Sequence, residues 1–551
     1  MDFNLRDVVG ALRTYGRVCF IHTQFLESIA MAVRTLGAQV AFALADRDVT
    51  HVFGVPGVHN LELYRGIHDA GLTHILARHE QGAGFMADGY ARASGKPGIA
   101  FVISGPGLCN IMTPLGQAYS DSVPMLAVSS SLPVHQTAQT KLHQMRDQVG
   151  AGRTVSDWSE EATTPDECYA LIDRAFEEFT SERNRPKHIQ IPLDLLAQMV
   201  EAPPKYTPSS ADRPHYDLTG IANALVQARR PLFVVGAGAK RSAVAKLQTQ
   251  IQAAVFETYA GKGIVPFVEP LNYGAFLARP GSADEIKKAD VVVVLGTELS
   301  EVDLWRDDLG TTGNVFVVDT DPDAHPLNGN AEMIPAPCEV VVDHLLERVA
   351  SKDSDWSRRE IAEARARFRL EVDQERPGIV PVTEALGTRL PEDLWLVSDM
   401  TQFAYAAKEV FPQKKAGHWL HPYGFGTLGY ALPAAIGAKV ALGNAPVLAI
   451  AGDYGFQYTL QELGTAAELE LGLPILLWDN SELKEITASM AAVQMPPTET
   501  TAQNPDFSKL AEAYGCHFSH PKTSDDLLDE ILAGFEKNDP TLIRVTPEMV
   551  L

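Results

Sequence analysis

The chain has 551 residues, 45% of them hydrophobic and 21% charged, with a formal net charge of −24. That length predicts three or four domains with ample core, and the composition excludes a disordered or fibrous architecture. So acidic a chain is not expected to take a nucleic acid as its partner.

The five cysteines are scattered, without CxxC or metal-ligand spacing, as expected of free thiols in a reducing compartment. The N-terminus lacks the basic start and apolar core of a signal peptide, and no run of about 18 apolar residues occurs. A cytoplasmic protein with no membrane partner is therefore expected. Residues 1–26 carry no motif and stand as an unassigned N-terminal extension.

From 27 to 200, helix-like stretches alternate with the short apolar segments THVFGVPG, GIAFVISGPG, PMLAVSSS and HIQIPLDLL, each bounded by Gly, Pro or Ser. This alternation predicts a parallel sheet with crossover helices. Within it, RHEQGAGFMADGYAR (78–92) places Glu80 at the start of an Ala- and Gly-rich helix, where small residues let another backbone or a ring approach. Burial there would raise the carboxyl pKa and suit it to exchanging a proton with a heterocycle nitrogen. The competing reading is an ordinary helix acid favoured by the dipole.

The stretch EAPPKYTPSSADRPHY (201–216), with four prolines, predicts a linker. A second doubly wound unit follows over 216–350, through PLFVVGAGAK, DVVVVLGTELS and NVFVVDTDPD. Residues 351–374 alternate acid and base at helical spacing and predict a solvated connecting helix. A third α/β unit over 375–551 carries LWLVSDM, APVLAIAGDYG, LPILLWDN and TLIRVTP.

In that third unit the strand before GDYG delivers Asp453 to the carboxyl end of a sheet, and Gly452 and Gly455 leave backbone N–H groups open to phosphate oxygens. Asp479 and Asn480 end the next strand, and adjacent strand ends can share one ligand. Magnesium takes oxygen ligands and keeps phosphates as partners. The Asp453 carboxylate, the Asn480 amide oxygen and the Glu482 backbone carbonyl are the candidate metal ligands. The alternative is an ordinary pair of turns.

The motifs FGVPGVHNLELY (53–64), RHEQGAGFMADGYAR, ISGPGLCN (103–110), PYGFGTLGYALPAAIGA (422–438) and GDYG…DN occur together and in order. The chain thereby resembles the thiamine diphosphate-dependent enzymes of the acetolactate synthase and 2-oxo acid decarboxylase group, over roughly 27 to 550. The resemblance implies three doubly wound parallel-sheet domains: pyrimidine-binding (27–200), central (216–350) and diphosphate- and Mg2+-binding (375–551). It implies that Glu80 hydrogen-bonds the cofactor's N1′ and that Gly426 and Leu428 meet the opposite side of the pyrimidine. Pro56, Gln402, Gly452, Asp453, Tyr454, Gly455 and Asn480 would complete the cofactor site, and Asp453, Asn480 and Glu482 the metal site. Glu80 lies in the first domain and the metal loop in the third, so active sites between the subunits of a homodimer or homotetramer are implied.

Three positions depart from the family pattern. Tyr454 follows Asp453 where a glycine is usual, Asp479 replaces the first of two asparagines, and Lys484 stands where a glycine is common. Tyr454 is expected to point away from the phosphates.

The resemblance further implies a small-molecule 2-oxo acid substrate, with Gln144 beside the reacting carbon. His143 occupies the place where acetolactate synthases usually carry Phe, and is a candidate catalytic residue or else a hydrogen-bonded core histidine. No adjacent His–His pair occurs, so the signature of pyruvate-type decarboxylases is missing. VPGVHNLELYRG and LGTELSEVDLW look most like the branch that decarboxylates 5-guanidino-2-oxopentanoate. Glu485 is the candidate carboxylate for such a guanidinium. An acetolactate synthase-like carboligase is the alternative, and a non-catalytic relative retaining the fold is another. FAD is possible but not favoured, because Gly236-Ala237-Gly238 is a weak dinucleotide signal.

Overall fold

The computed structural model describes residues 33–133, 140–208, 215–322, 331–501 and 503–550. The N-terminal extension 1–26 lies outside the described residues, as does Cys19. The other four cysteines are free thiols.

The first domain contains β1 (Arg34–Thr35), β2 (His51–Gly54), β3 (Thr73–Leu76), β4 (Gly98–Val102), β5 (Met125–Ser131), β6 (Trp158–Glu161), β7 (Lys187–Pro192) and β8 (Met199–Val200). Six of these form a parallel sheet in the order β3-β2-β4-β5-β7-β6, and β1 pairs with β8 in a small antiparallel ribbon. The middle domain has β9 (Pro231–Val235), β10 (Ala254–Glu257), β11 (Asn272–Gly274), β12 (Val291–Leu295), β13 (Asn314–Asp319) and β14 (Ala331–Pro335), in the parallel order β11-β10-β9-β12-β13-β14. The third has β15 (Trp395–Ser398), β16 (Trp419–Leu420), β17 (Val447–Gly452), β18 (Pro474–Trp478), β19 (His517–Ser519) and β20 (Thr541–Val545), in the parallel order β16-β15-β17-β18-β20-β19. The expected three doubly wound parallel-sheet units are what forms. Central strands such as GIAFV, VVVVL and VLAIAG are buried at every position, as helices on both faces of a parallel sheet require.

The Ala- and Gly-rich segment does admit another backbone, that of the third domain. The helix Glu80–Ser94 crosses the helix Ala431–Leu442 so closely that a Cβ at Gly89 would strike the Ala434 carbonyl, and one at Gly437 the Met86 carbonyl. A buried polar cluster pins the crossing. Arg92 donates to Asp88 at 2.7 Å and to Asp121 at 2.9 Å, and the Tyr430 hydroxyl donates to Asp88 at 2.6 Å. Asp121 also accepts the backbone N–H groups of Tyr423 and Gly424, at 3.1 and 2.9 Å, fixing the start of the PYGFGTLG segment on the first domain.

The charged segment 351–374 is not simply solvated. Its helix, Arg358–Glu375, buries Ile361, Ala364, Phe368 and Val372 as one apolar stripe. That stripe enters a core cluster shared by the middle and third domains, so the connection is a packed element rather than a free linker.

Candidate functional site

In an open parallel sheet, ligands collect at the carboxyl ends of the strands where the strand order reverses. In the first sheet that point lies between β2 and β4, and in the third between β15 and β17.

Glu80 is the first residue of its helix and is half-buried, less enclosed than the sequence led one to expect. Its Oε2 accepts a hydrogen bond from Asn110 Nδ2 at 2.9 Å, and a Cβ at Gly107 would lie 3.5 Å from its Oε1. Both partners belong to the turn and helix after β4, so the ISGPGLCN motif acts as the bed on which Glu80 lies. The helix start is fixed from the third domain. The buried Glu462 carboxylate accepts the N–H groups of Arg78 and His79 at 3.1 Å and the Thr465 hydroxyl at 2.8 Å. Burial raises the Glu462 pKa against those hydrogen bonds.

Pro56 lies exposed in the loop after β2. His143 and Gln144 lie in the loop after β5, where the Gln144 amide oxygen accepts the Lys141 N–H at 3.1 Å.

At the third-domain edge, Gly452 pairs with Trp478 across β17 and β18, so Asp453 and Asp479 emerge side by side, as the spacing predicted. Asp453 Oδ2 accepts from Ser481 N at 2.8 Å and Asn504 Nδ2 at 2.6 Å, and Asn504 also donates to Asp479 Oδ1 at 2.8 Å. Burial raises the Asp453 pKa, with the Asp479 charge adding to it against the Asn504 hydrogen bond. Burial acts the same way on Asp479, but the Arg544 guanidinium at 2.7 Å outweighs it and holds that carboxyl low. Asn480 donates to Gln402 Oε1 at 3.1 Å, and its own Oδ1 accepts the Glu482 N–H at 3.2 Å.

The two glycines of GDYG serve close packing. A Cβ at Gly452 would lie 3.0 Å from Thr401 Oγ1, and one at Gly455 would lie 2.7 Å from Asp399 Oδ2 and 3.5 Å from Leu428 Cδ2. Asp399 also accepts the Gly429 N–H at 2.9 Å, which ties the Gly426–Leu428 turn to the GDYG loop. Gly426 itself has φ +64°, a conformation that glycine adopts without strain. Tyr454 lies near Tyr458, with ring centroids 6.2 Å apart, and Lys484 pairs with the Glu482 side chain at 3.1 Å.

Residues 34–151 match the thiamine pyrophosphate enzyme N-terminal TPP binding domain, 218–341 its central domain and 399–545 its C-terminal TPP binding domain. The chain is 40% identical over 542 residues, covering 95% of it and 96% of the relative, to a Pseudomonas aeruginosa protein named "Probable 2-ketoarginine decarboxylase AruI". The chain belongs to the thiamine pyrophosphate enzyme family. Among other relatives, an acetolactate synthase of Arthrospira platensis is 31% identical over 86% of this chain and 88% of its own. The acetolactate synthase isozyme 3 large subunit of Escherichia coli is 29% identical over 92% of this chain and 94% of its own.

As a member of this family, the chain has residues that fit thiamine diphosphate, the same cofactor under another name. Asn110 holds the Glu80 carboxylate, and Asp399 ties the Gly426–Leu428 turn to the GDYG loop through the Gly429 N–H. The loops after β17 and β18 offer carboxylate and amide oxygens, and the two neighbouring carboxylates, Asp453 and Asp479, are partly balanced by Arg544. A divalent cation suits that charge.

Two candidate positions have neighbours that the sequence did not show. Glu485 is already engaged by a protein guanidinium, since Arg376 donates to its two oxygens at 3.3 and 3.1 Å. Gly236 and Gly238 pack against the loop after β12, where Cβ atoms would strike Thr297 and Gly296. The GxG pattern is accounted for by loop packing and carries no argument for FAD. Sequence reasoning missed Asn110, Asn504, Asp399 and Glu462. An isolated Asn or Asp gives no periodic or spacing signal, although Asn110 ends a motif quoted for other reasons.

Proposed function

We propose that this enzyme uses thiamine diphosphate and Mg2+ to decarboxylate 5-guanidino-2-oxopentanoate to an aldehyde and carbon dioxide. The observation that supports this most is the 40% identity, across 95% of the chain, to a relative named for that substrate. The site adds chemical support. Glu485 accepts a guanidinium on both oxygens in the present structure and receives Gln402 Nε2 at 3.2 Å. The Gln402–Asn480 bond links it directly to the metal loop. A substrate guanidinium would exchange with that of Arg376, like for like.

Bound thiamine diphosphate supplies the carbon nucleophile and the electron sink for loss of carbon dioxide. Glu80, steadied by Asn110, would hold the proton at the pyrimidine N1′. Leu428 would support the bend between the cofactor's rings. Asp453, Asn480 and the Glu482 carbonyl would hold Mg2+ against the diphosphate, and Gln144 would orient the substrate carbonyl.

The assembly we propose is a cytoplasmic homodimer or homotetramer in which Glu80 of one subunit serves the metal loop of another. In support, the helix Lys484–Ala492 buries none of its residues within the protomer, and Ile486, Val493 and Met495 around it are exposed. An apolar surface of this kind favours a covering partner.

The acetolactate synthase relatives keep a carboligase as the second reading. Product identification after incubation with 5-guanidino-2-oxopentanoate and, separately, with pyruvate decides between them. The guanidino aldehyde is expected; acetolactate from pyruvate with no aldehyde from either acid reverses the assignment.

A further inference from the structure

Decarboxylation to an aldehyde has a proton requirement that Glu80 and the metal loop do not meet. In R–CO–COO⁻ + H⁺ → R–CHO + CO2, the carbon–carbon bond breaks, the electron pair remains on the former carbonyl carbon, and that carbon takes up one proton. A group beside the carbon has to deliver it.

The reversal point of the first sheet holds two histidines that the sequence keeps far apart. His59 follows β2, and its Nδ1 shares a hydrogen bond of 2.8 Å with Ser104 Oγ, just after β4. The His143 ring meets the His59 ring edge-on, with centroids 4.8 Å apart. Ser104 is buried, and its N–H donates to Ser130 Oγ at 3.0 Å, so the anchor of the pair is itself fixed.

His143 is held at a strained backbone, φ +62°, in the left-handed region that a non-glycine residue adopts at a cost. The neighbouring Gly105 leaves room for this turn, because a Cβ there would strike the His143 carbonyl. His143 Nδ1 is buried and has no hydrogen-bond partner among the described residues, an arrangement a purely structural histidine avoids. The same turn carries Gly107, against which Glu80 Oε1 lies. His143 and Glu80 thus approach the same turn, His143 at Gly105 and Glu80 at Gly107.

We propose that His59 and His143 form a proton-donating pair that delivers the proton to the substrate carbon when carbon dioxide leaves. Burial first and the His143 ring second hold His59 below the usual imidazole range, so a proton placed there is readily given up. His143 also lines a cavity of about 160 Å3 together with Gln148, Glu161 and Gln190, space for water to restore the proton.

The inference rests on the decarboxylase reading, and its test separates the two. The holoenzyme and its His59→Ala, His143→Ala and His59→Gln variants are supplied with the 2-oxo acid and with 2,6-dichlorophenolindophenol. Where the proton is withheld, this two-electron oxidant takes the pair left on the carbon, and water completes a carboxylic acid. Aldehyde formation is expected to fall roughly 100-fold while dye reduced per carbon dioxide rises. Thiamine diphosphate affinity, read from the change in protein fluorescence, is expected to stay within about twofold in His59→Gln, which can keep the Ser104 hydrogen bond but cannot titrate. A His59→Gln enzyme with the wild-type ratio of aldehyde to dye reduction overturns the pair. Wild-type protein that makes no aldehyde overturns the activity as well, and does so before any histidine is changed.

Discussion

Asn110 Nδ2 lies 2.9 Å from Glu80 Oε2, so the carboxylate assigned to the cofactor's pyrimidine is aimed by an amide from the neighbouring helix. Glu80→Gln is expected to lower turnover roughly 100- to 10,000-fold, the range for removing a positioned proton-transfer group. Asn110→Ala leaves the carboxylate in place but unaimed, and a smaller loss of about tenfold follows. Steady-state rates measured beside the cofactor's circular dichroism check both; equal losses in the two variants would refute the division of roles.

Asn504 bridges Asp453 and Asp479 with one amide nitrogen, at 2.6 and 2.8 Å. In Asn504→Ala the two carboxylates lose their common donor and Asp453 its orientation. We expect Mg2+ to bind roughly 10- to 100-fold more weakly, as for other losses just outside a ligand set. Titrating Mg2+ at fixed thiamine diphosphate measures this, with Asp453→Asn as the variant that fails to load.

Glu485 is exposed enough to exchange partners, whereas Arg376 is mostly buried. If a substrate guanidinium uses this carboxylate, Glu485→Gln raises KM for 5-guanidino-2-oxopentanoate about tenfold or more, the loss of one charge-assisted pair. KM for an uncharged 2-oxo acid should hardly move. A parallel rise for both substrates would place the guanidinium elsewhere.

Glu462 crosses from the third domain to cap the helix that carries Glu80. Glu462→Ala strands the N–H groups of Arg78 and His79, at a cost on the order of 3 kcal/mol. Hydrogen exchange should accelerate over residues 78–83. The exposed Arg78–Glu468 pair serves as a control, since Glu468→Ala is expected to change little.

His188 is fully buried between the hydroxyls of Ser129 and Ser159, at 2.8 and 2.7 Å, and burial lowers its pKa from 6.5 to about 4. A depressed pKa means the folded state binds the proton more weakly than the unfolded state. Its stabilisation is therefore present above pH 6.5 and is lost as pH falls toward about 4, up to about 3 kcal/mol. Thermal unfolding across that window should show the loss in wild type and a flatter profile in His188→Gln.

Much of this protein was decided by local pattern. Apolar runs closed by Gly, Pro or Ser specify buried parallel strands, because such runs suit a sheet covered on both faces. The position of Asp453 at a strand end followed from the same pattern, as did Glu80 at a helix start. Tertiary structure alone decided what those residues touch. The backbone approach at Gly89 and Ala434, the cap from Glu462, the Asn504 bridge and the meeting of His59 with His143 join segments far apart in the chain. Their geometry is set by strand order and by which helices interlock. Glu485 shows the difference most plainly: sequence could nominate its carboxylate for a guanidinium, but only packing revealed that Arg376 already holds it.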